Sequence, residues 1–270
     1  MKYKMIALDI DGTLTNSQKE IPPSTKIALL EIQRLGVKIA LASGRPTAGC
    51  KKLAEELHLS EYGSYVLSFN GARITNCQTN EIVYEKILPM EIIPKLYAFA
   101  QENNVGMITY ENETVITGTP IDKYMINEAR INGIPIISVD NFPEYVNFNV
   151  NKCLMTAEPA YLEQMEVKLK EQYGDLLSIY RSEPYFLEIM PQNVDKAMAL
   201  SILLSENELT KDNLIACGDG FNDISMISFA GLGVAMENAS PVVKNAANYL
   251  TTTNDNDGIL HVINKYILGQ

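Results

Sequence analysis

Asp9 and Asp11 close the apolar run Met5-Ile6-Ala7-Leu8 and are followed at once by Gly12 and Thr13. The run has the pattern of a strand buried on both faces. Residues two apart on a strand point to the same side, so the two carboxylates stand together where the strand ends. Two such charges are expensive inside a sheet. At the carboxyl edge of a parallel sheet they face the crevice where ligands bind. Asp219 and Asp223 repeat the theme in Gly218-Asp219-Gly220-Phe221-Asn222-Asp223, directly after an apolar run ending at Cys217. Asp9, Asp11, Asp219 and Asp223 are hard oxygen donors with no sulfur or imidazole beside them. That set suits Mg²⁺, which takes a few carboxylates plus water and substrate phosphate. Ser43-Gly44-Arg45 offers a hydroxyl and a backbone N–H at a helix start, an arrangement that binds phosphate. Lys196, following Asp195, adds a point charge in the first turn of another helix. Carboxylates, a metal, a hydroxyl and a lysine around one point suggest phosphoryl transfer, in which positioning and charge neutralisation dominate.

These groups meet only if the elements between them bring them to one edge. Ile21-Pro22-Pro23-Ser24 punctuates the chain after the first strand, and Ser24 is the expected N-cap of a helix reaching about Leu35. Val37–Ala42 reads as a second strand, 47–57 as a helix and Tyr65–Phe69 as a third strand. Strand–helix–strand order of this kind predicts a parallel sheet with right-handed crossovers. Asn70-Gly71 is a turn dipeptide before a return strand at 72–75. From 84 to 190 the pattern changes. Strands are expected at 82–88, 105–110, 113–117, 151–156, 176–181 and 185–190, and helices at 90–103, 120–132 and 159–173. Gly133–Val150 has weak periodicity. The first pattern then resumes with helices at 194–205, 222–229, 240–247 and 257–268. Strands alternate with them at 213–217, 232–236 and 248–251. The fold class expected is α/β: a Rossmann-like parallel-sheet core formed by 1–83 and 191–270, with an α+β cap, 84–190, inserted between.

Asp-x-Asp-Gly-Thr, Ser-Gly-Arg, a helix-start Lys and Gly-Asp-x-x-Asn-Asp resemble, in order, the four motifs of the haloacid dehalogenase-like superfamily. The large α/β insert and the tail Gly231-Leu232-Gly233-Val234-Ala235-Met236-Glu237-Asn238-Ala239 resemble its Cof-type sugar-phosphatase branch. The resemblance implies Asp9 as nucleophile, forming an aspartyl-phosphate, and Asp11 as general acid and then base. It implies Mg²⁺ held by Asp9, the backbone carbonyl of Asp11 and Asp219, with Asp223 nearby. Ser43, Gly44 and Lys196 would hold the phosphoryl group, and Asn222 would hold it or orient the metal. Arg45 would reach the substrate or the cap, or pair with an acidic neighbour. An acid at position 11 implies a phosphatase or a phosphohexomutase over a dehalogenase or an ion-pumping ATPase. A non-catalytic phosphate-binding or regulatory protein is the remaining alternative. Relatives read Lys-Gly at the third motif, where this chain has Lys196-Ala197, which bears on fine geometry only.

The 270 residues are 46% hydrophobic and 20% charged, ordinary for a soluble protein, and carry a formal net charge of −11. That charge argues against nucleic acid as the main partner but not against a small phosphorylated metabolite, because a bound metal reverses the local field. Cys50, Cys77, Cys153 and Cys217 form no CxxC pair and lie far from His58 and His261. They are expected as small buried residues of a reducing compartment, not as zinc ligands. No segment approaches the roughly 20 apolar residues of a membrane span, and the N-terminal run is broken by Asp9. A cytoplasmic protein, a monomer or at most a weak dimer, is the expectation. Asp255 and Asp257 read as surface charges. In the cap, Lys123, Arg130, Tyr180, Arg181 and Tyr185 read as surface or packing residues.

Overall fold

The structure is a computed structural model and describes residues 2–270. It divides into two compact units. One comprises the chain up to Arg45, Cys50–Tyr84 and Asp195–Gln270; the other comprises Pro46–Gly49 and Glu85–Val194.

The chain opens with β1 (Met5–Leu8), four apolar residues that are all buried. Next come α1 (Pro23–Arg34), β2 (Lys38–Ala42), α2 (Thr47–Glu56) and β3 (Tyr65–Ser68). A 3₁₀ turn at Phe69–Gly71 reverses the chain into β4 (Arg73–Asn76), which pairs antiparallel with β3, and β5 (Ile82–Glu85) follows. The second unit contributes α3 (Ile93–Glu102), β6 (Gly106–Glu111), β7 (Thr114–Thr117), α4 (Lys123–Asn132) and β8 (Ile136–Ser138). It continues with α5 (Phe142–Tyr145), β9 (Cys153–Thr156), α6 (Pro159–Tyr173), β10 (Leu177–Glu183) and β11 (Phe186–Pro191). The first unit resumes with α7 (Lys196–Glu206), β12 (Leu214–Gly218), α8 (Ile224–Phe229), β13 (Leu232–Ala235), α9 (Pro241–Asn245), β14 (Tyr249–Leu250) and α10 (Gly258–Ile263).

The first unit is an α/β layer structure on one eight-stranded sheet, ordered β14-β13-β12-β1-β2-β3-β4-β5. The six strands from β14 to β3 run parallel. From β13 to β3 both faces are buried, as their largely apolar sequences require, while the edge strand β14 leaves Leu250 exposed. Ile6, Leu8, Ile39, Leu41, Ile215 and Cys217 pack with Leu29 and Ile32 of α1, Leu53 of α2 and Val262 of α10. The alternate residues Met5, Ala7, Ala40, Ala42, Leu214 and Ala216 pack with Leu200 and Leu203 of α7 and with Met226 of α8. Leu8 lies opposite Leu41 on one side and Cys217 on the other. Asp9, Ser43 and Asp219 follow within two residues of those positions, so the three loops leave one carboxyl edge.

The second unit is α+β, with a six-stranded sheet ordered β10-β11-β9-β6-β7-β8. Its pairs are antiparallel except β7 with β8. Met107, Ile116, Cys153, Met155, Ile179 and Leu187 form one core with Leu96 of α3, Phe142 of α5 and Leu162 of α6. The weakly periodic stretch at 133–150 contains β8, whose Ile137 is largely exposed, and the one-turn helix α5. Phe142 is fully buried there and stacks on Tyr97 with ring centroids 5.3 Å apart.

Some local expectations are overturned. Ser24 is not an N-cap: α1 starts at Pro23, with Pro22 in the cap position and no side-chain cap. Ser24 Oγ donates instead to Asp257 Oδ1 at 2.6 Å, and Thr25 Oγ1 to the same atom at 3.1 Å. Asp255 accepts from Ser17 N and Oγ at 2.7 and 2.6 Å. Asp255 is the exposed charge expected and also ties down the N-terminal segment, whereas Asp257 is half-buried against α1. The last helix covers the expected range but changes type: α10 ends at Ile263 and continues directly as a π-helix, Asn264–Leu268.

Cys50, Cys153 and Cys217 are buried, Cys77 is half-buried, and none is bridged. In the second unit, Lys123 pairs with Glu158 and Arg181 with Glu163 and Glu166. Arg130 bonds Asn127, and Tyr185 stacks on Tyr124. Tyr180 donates to the Met190 sulfur. Among the described residues, no helix is long and apolar enough to cross a membrane.

Candidate active site

The loop after β1 is wound tightly back on itself. Leu14 N donates to Asp9 O at 3.1 Å and Thr15 N to Ile10 O at 2.9 Å. Gly12 makes this possible with φ +87°, a left-handed conformation that side chains disfavour. A Cβ there would also overlap Asp219 Oδ2, so the absence of a side chain brings the β12 loop directly against the β1 loop. Thr13 Oγ1 donates to Asp219 Oδ1 at 2.8 Å and fixes the second carboxylate from the first loop.

Asp9, Asp219 and Asp223 each present one oxygen such that all three atoms lie within 4.8 Å of one another. Lys196 enters from the start of α7, whose N-cap is Asp195, accepting from Met198 N at 2.8 Å. Its side chain is fully buried, and Nζ lies 2.6 Å from Asp9 Oδ1 and 2.6 Å from Asp223 Oδ1. Asp223 Oδ2 accepts from the backbone N–H groups of Asp219 and Gly220 at 3.0 and 2.8 Å. Asp223 thus braces the loop that carries Asp219 as well as facing the lysine.

Burial and the charge of Asp223 push the Asp9 carboxyl up to about 8, against the pull of Lys196. Burial alone would lower Lys196, yet the charges of Asp223 and Asp9 outweigh it and hold the ammonium above its usual value. Asp219 is raised by burial and by Asp223, with the Thr13 hydrogen bond opposing. One lysine therefore offsets only part of three crowded carboxylates. A divalent cation fits this group: the donors are all hard oxygens, and their mutual repulsion is what a cation relieves.

Asp11 stands apart from that group. Its carboxylate contributes nothing to the three-oxygen cluster and instead receives Arg45 Nε at 2.8 Å, Arg45 Nη2 at 2.7 Å and Lys19 Nζ at 2.8 Å. Burial would raise Asp11, but the Arg45 hydrogen bonds and charge, helped by Lys19, hold it below the ordinary carboxylate range. Pairing with an acidic neighbour is among the roles open to Arg45, and the Asp11 pair is present here.

Ser43 is buried, and its hydroxyl accepts from Arg45 N at 3.2 Å. Ser43 and Gly44 are not at a helix start: α2 begins at Thr47, and they lie in the loop before it. Asn222 Nδ2 donates to Asn70 Oδ1 at 3.0 Å. The Asn70 side chain also lies 3.3 Å from where a Gly44 Cβ would stand. Asn70 is buried with φ +54°, so the Asn70-Gly71 turn is part of the site wall as well as a hairpin reversal. Lys19 is the site neighbour that motif reading passed over, while Asn70 and Asn238 lay in stretches it quoted without assigning them a site role. Asn70 left a local signal, a left-handed turn residue at the end of a parallel strand, and Asn238 sits in the tail that carries the family resemblance.

The family model of the haloacid dehalogenase-like hydrolases matches residues 6–263. A haloacid dehalogenase-like hydrolase from Bacteroides thetaiotaomicron is 44% identical and superposes with a TM-score of 0.95, covering 98% of this chain and 99% of that one. The HAD subclass IIB sugar phosphatase BT4131 superposes with a TM-score of 0.80 at 27% identity, covering 97% and 98%. In sequence, 5-amino-6-(5-phospho-D-ribitylamino)uracil phosphatase YcsE of Bacillus subtilis (strain 168) is 32% identical over 265 residues, 98% of this chain and 96% of that protein. With its four motifs converging on one sheet edge, the chain belongs to the haloacid dehalogenase-like hydrolases, in the Cof-type branch, and is a phosphatase of that family.

Proposed function

We propose that the chain is a Mg²⁺-dependent phosphatase of small phosphorylated metabolites, sugar phosphates foremost, acting through an aspartyl-phosphate on Asp9. The observation that carries this reading is the convergence of Asp9, Asp219, Asp223 and Lys196 within hydrogen-bonding or metal-sharing distance at the carboxyl edge of the sheet. The sugar-phosphate preference draws on the likeness to BT4131, named as a sugar phosphatase. The inserted second unit is, in this reading, the substrate-selecting cap.

Asp9, the backbone carbonyl of Asp11, and Asp219 would hold Mg²⁺, with Asp223 beside them; when bound, the ion neutralises charge on the transferring phosphoryl group. Ser43 Oγ, the Gly44 N–H and Lys196 Nζ bind the phosphoryl oxygens, which places phosphorus against an Asp9 oxygen. That oxygen attacks, the phosphorus–oxygen ester bond breaks, and Asp11 gives its proton to the leaving alcohol. Asp11 then takes a proton from water as the water attacks the aspartyl-phosphate, releasing phosphate and restoring Asp9. Asn222, tied to Asn70, helps to hold the phosphoryl group. Asp11 must be protonated for the first step, whereas Arg45 and Lys19 favour its carboxylate. Arrival of substrate therefore has to loosen those pairs.

The test is phosphate release from p-nitrophenyl phosphate and from a panel of phosphorylated metabolites, with Mg²⁺ or with EDTA. Metal-dependent turnover that is highest on sugar phosphates and lost in Asp9→Asn is expected. Absence of turnover across the panel with Mg²⁺ present would sink the reading, and an active Asp9→Asn enzyme would remove its nucleophile.

A further inference from the structure

The segment Gly231–Ala239 carries family likeness, yet nothing in the proposed chemistry uses it. At its end, Asn238 Nδ2 donates to Gly12 O at 2.8 Å and lies 3.3 Å from Asp219 Oδ2. Its own oxygen accepts from Asn254 N at 3.2 Å. Asn254 Nδ2 in turn donates to Thr15 O at 2.9 Å. One amide thus touches both loops that supply the acidic group, at the glycine where they come into closest approach. Asp219 is held on both oxygens: Oδ1 by Thr13, from inside the first loop, and Oδ2 by Asn238, from outside it.

We propose that Asn238 is a positioning residue for the Asp219 carboxylate and that it acts on cation affinity rather than on folding. Two anchored oxygens fix the rotation of the carboxylate plane, and with it the lone pair offered toward Asp9 and Asp223. With Asn238 removed, Asp219 keeps a single anchor and turns about its Thr13 bond. Asn238 is exposed and adds no apolar contact to the core, so truncation removes hydrogen bonds without opening a cavity. Outer partners that orient metal-binding carboxylates are worth about 10–100-fold in metal affinity when lost. With one anchor left, the lower end of that range applies.

This inference rests on the Mg²⁺ reading of the site, and the experiment separates the two. Mg²⁺ affinity of the full chain is measured by isothermal titration, with Mn²⁺ paramagnetic resonance as a second readout, in wild type and Asn238→Ala. Thermal unfolding in EDTA is measured for both. The expected result is roughly tenfold weaker cation binding in the variant, an altered Mn²⁺ spectrum, and an unchanged unfolding temperature in EDTA. Equal affinities in the two proteins overturn the assignment. So does a variant that fails to fold, or one whose unfolding temperature falls while its cation affinity stays, since Asn238 is then a structural clamp. A wild type that binds neither cation defeats the metal reading itself and with it this proposal.

Discussion

Replacing Lys196 with Met keeps the volume of the side chain and removes the cation that, among the described residues, pairs with both Asp9 and Asp223. The ammonium is fully buried and 2.6 Å from an oxygen of each, so neither water nor a neighbour replaces it at once. Removing one partner of a buried ion pair costs about 3–5 kcal/mol. For a chain of this size that corresponds to an unfolding temperature lower by roughly 6–20 °C. The cost also has a pH signature. Asp9 already sits at about 8, raised by burial and Asp223 and lowered by Lys196. Without the lysine its folded-state pKa rises further above the unfolded value. A group with a raised folded pKa adds stability at low pH and loses it as pH climbs, so the variant's deficit grows with pH. The variant retains an additional proton only where the wild-type carboxyl gives its own up, around and above pH 8, so its deficit should grow by up to about 1.4 kcal/mol between about pH 7 and pH 9. Urea unfolding of both proteins in EDTA at about pH 7 and pH 9 measures it. A deficit that is absent, or equal at the two pH values, would refute the claim that Lys196 balances buried carboxylate charge.

Arg45→Ala should return the Asp11 carboxyl toward its ordinary pKa, followed by carboxyl carbon NMR of the metal-free protein. Because that pKa is depressed in the folded state, the wild type's advantage over this variant should be present at neutral pH and disappear below about pH 4. Gly12→Ala forces a Cβ into a left-handed backbone position and into Asp219. The conformation alone costs roughly 1–2 kcal/mol, and Mg²⁺ titration should show weakened binding. Asp257→Ala leaves the Ser24 and Thr25 hydroxyls without their acceptor. Denaturant unfolding should show a loss of about 1–3 kcal/mol while Mg²⁺ affinity stays as in wild type.

The parts of this molecule that a sequence displays are those whose signal is local. The strand β1 ends in Asp9-x-Asp11-Gly12 because an apolar run, an acidic pair and a turn residue are consecutive, and β12 with Asp219 and Asp223 repeats the same grammar. Fold class follows from these alternations, since doubly buried strands need helices on both faces. What stayed hidden is held by contacts far apart along the chain. Asp257 looks like any acidic residue before a helix until it meets Ser24 and Thr25, more than two hundred residues away. Ser24 looks like an N-cap for the same reason, because capping propensity is blind to a tertiary acceptor. Asn238 binds two loops from the opposite end of the chain, and Lys19 reaches Asp11 from a turn whose composition is unremarked. Edge strand β8 and helix α5 have too few residues to develop a period. The joint use of Asp11 by Arg45 and Lys19 is a side-chain choice that spacing does not encode.

Location of the phosphoryl group during turnover bears on the central claim most directly. The Asp11→Asn variant is mixed with substrate and Mg²⁺, quenched in acid on the time scale of one turnover, digested, and mapped by mass spectrometry. Slowed hydrolysis should let the intermediate accumulate, and the peptide spanning Asp9 should carry the mass of one phosphoryl group, localised to Asp9 by fragmentation. A phosphoryl group on another residue, or free phosphate produced at wild-type rate with no phosphorylated peptide at any time, would contradict Asp9 as the nucleophile.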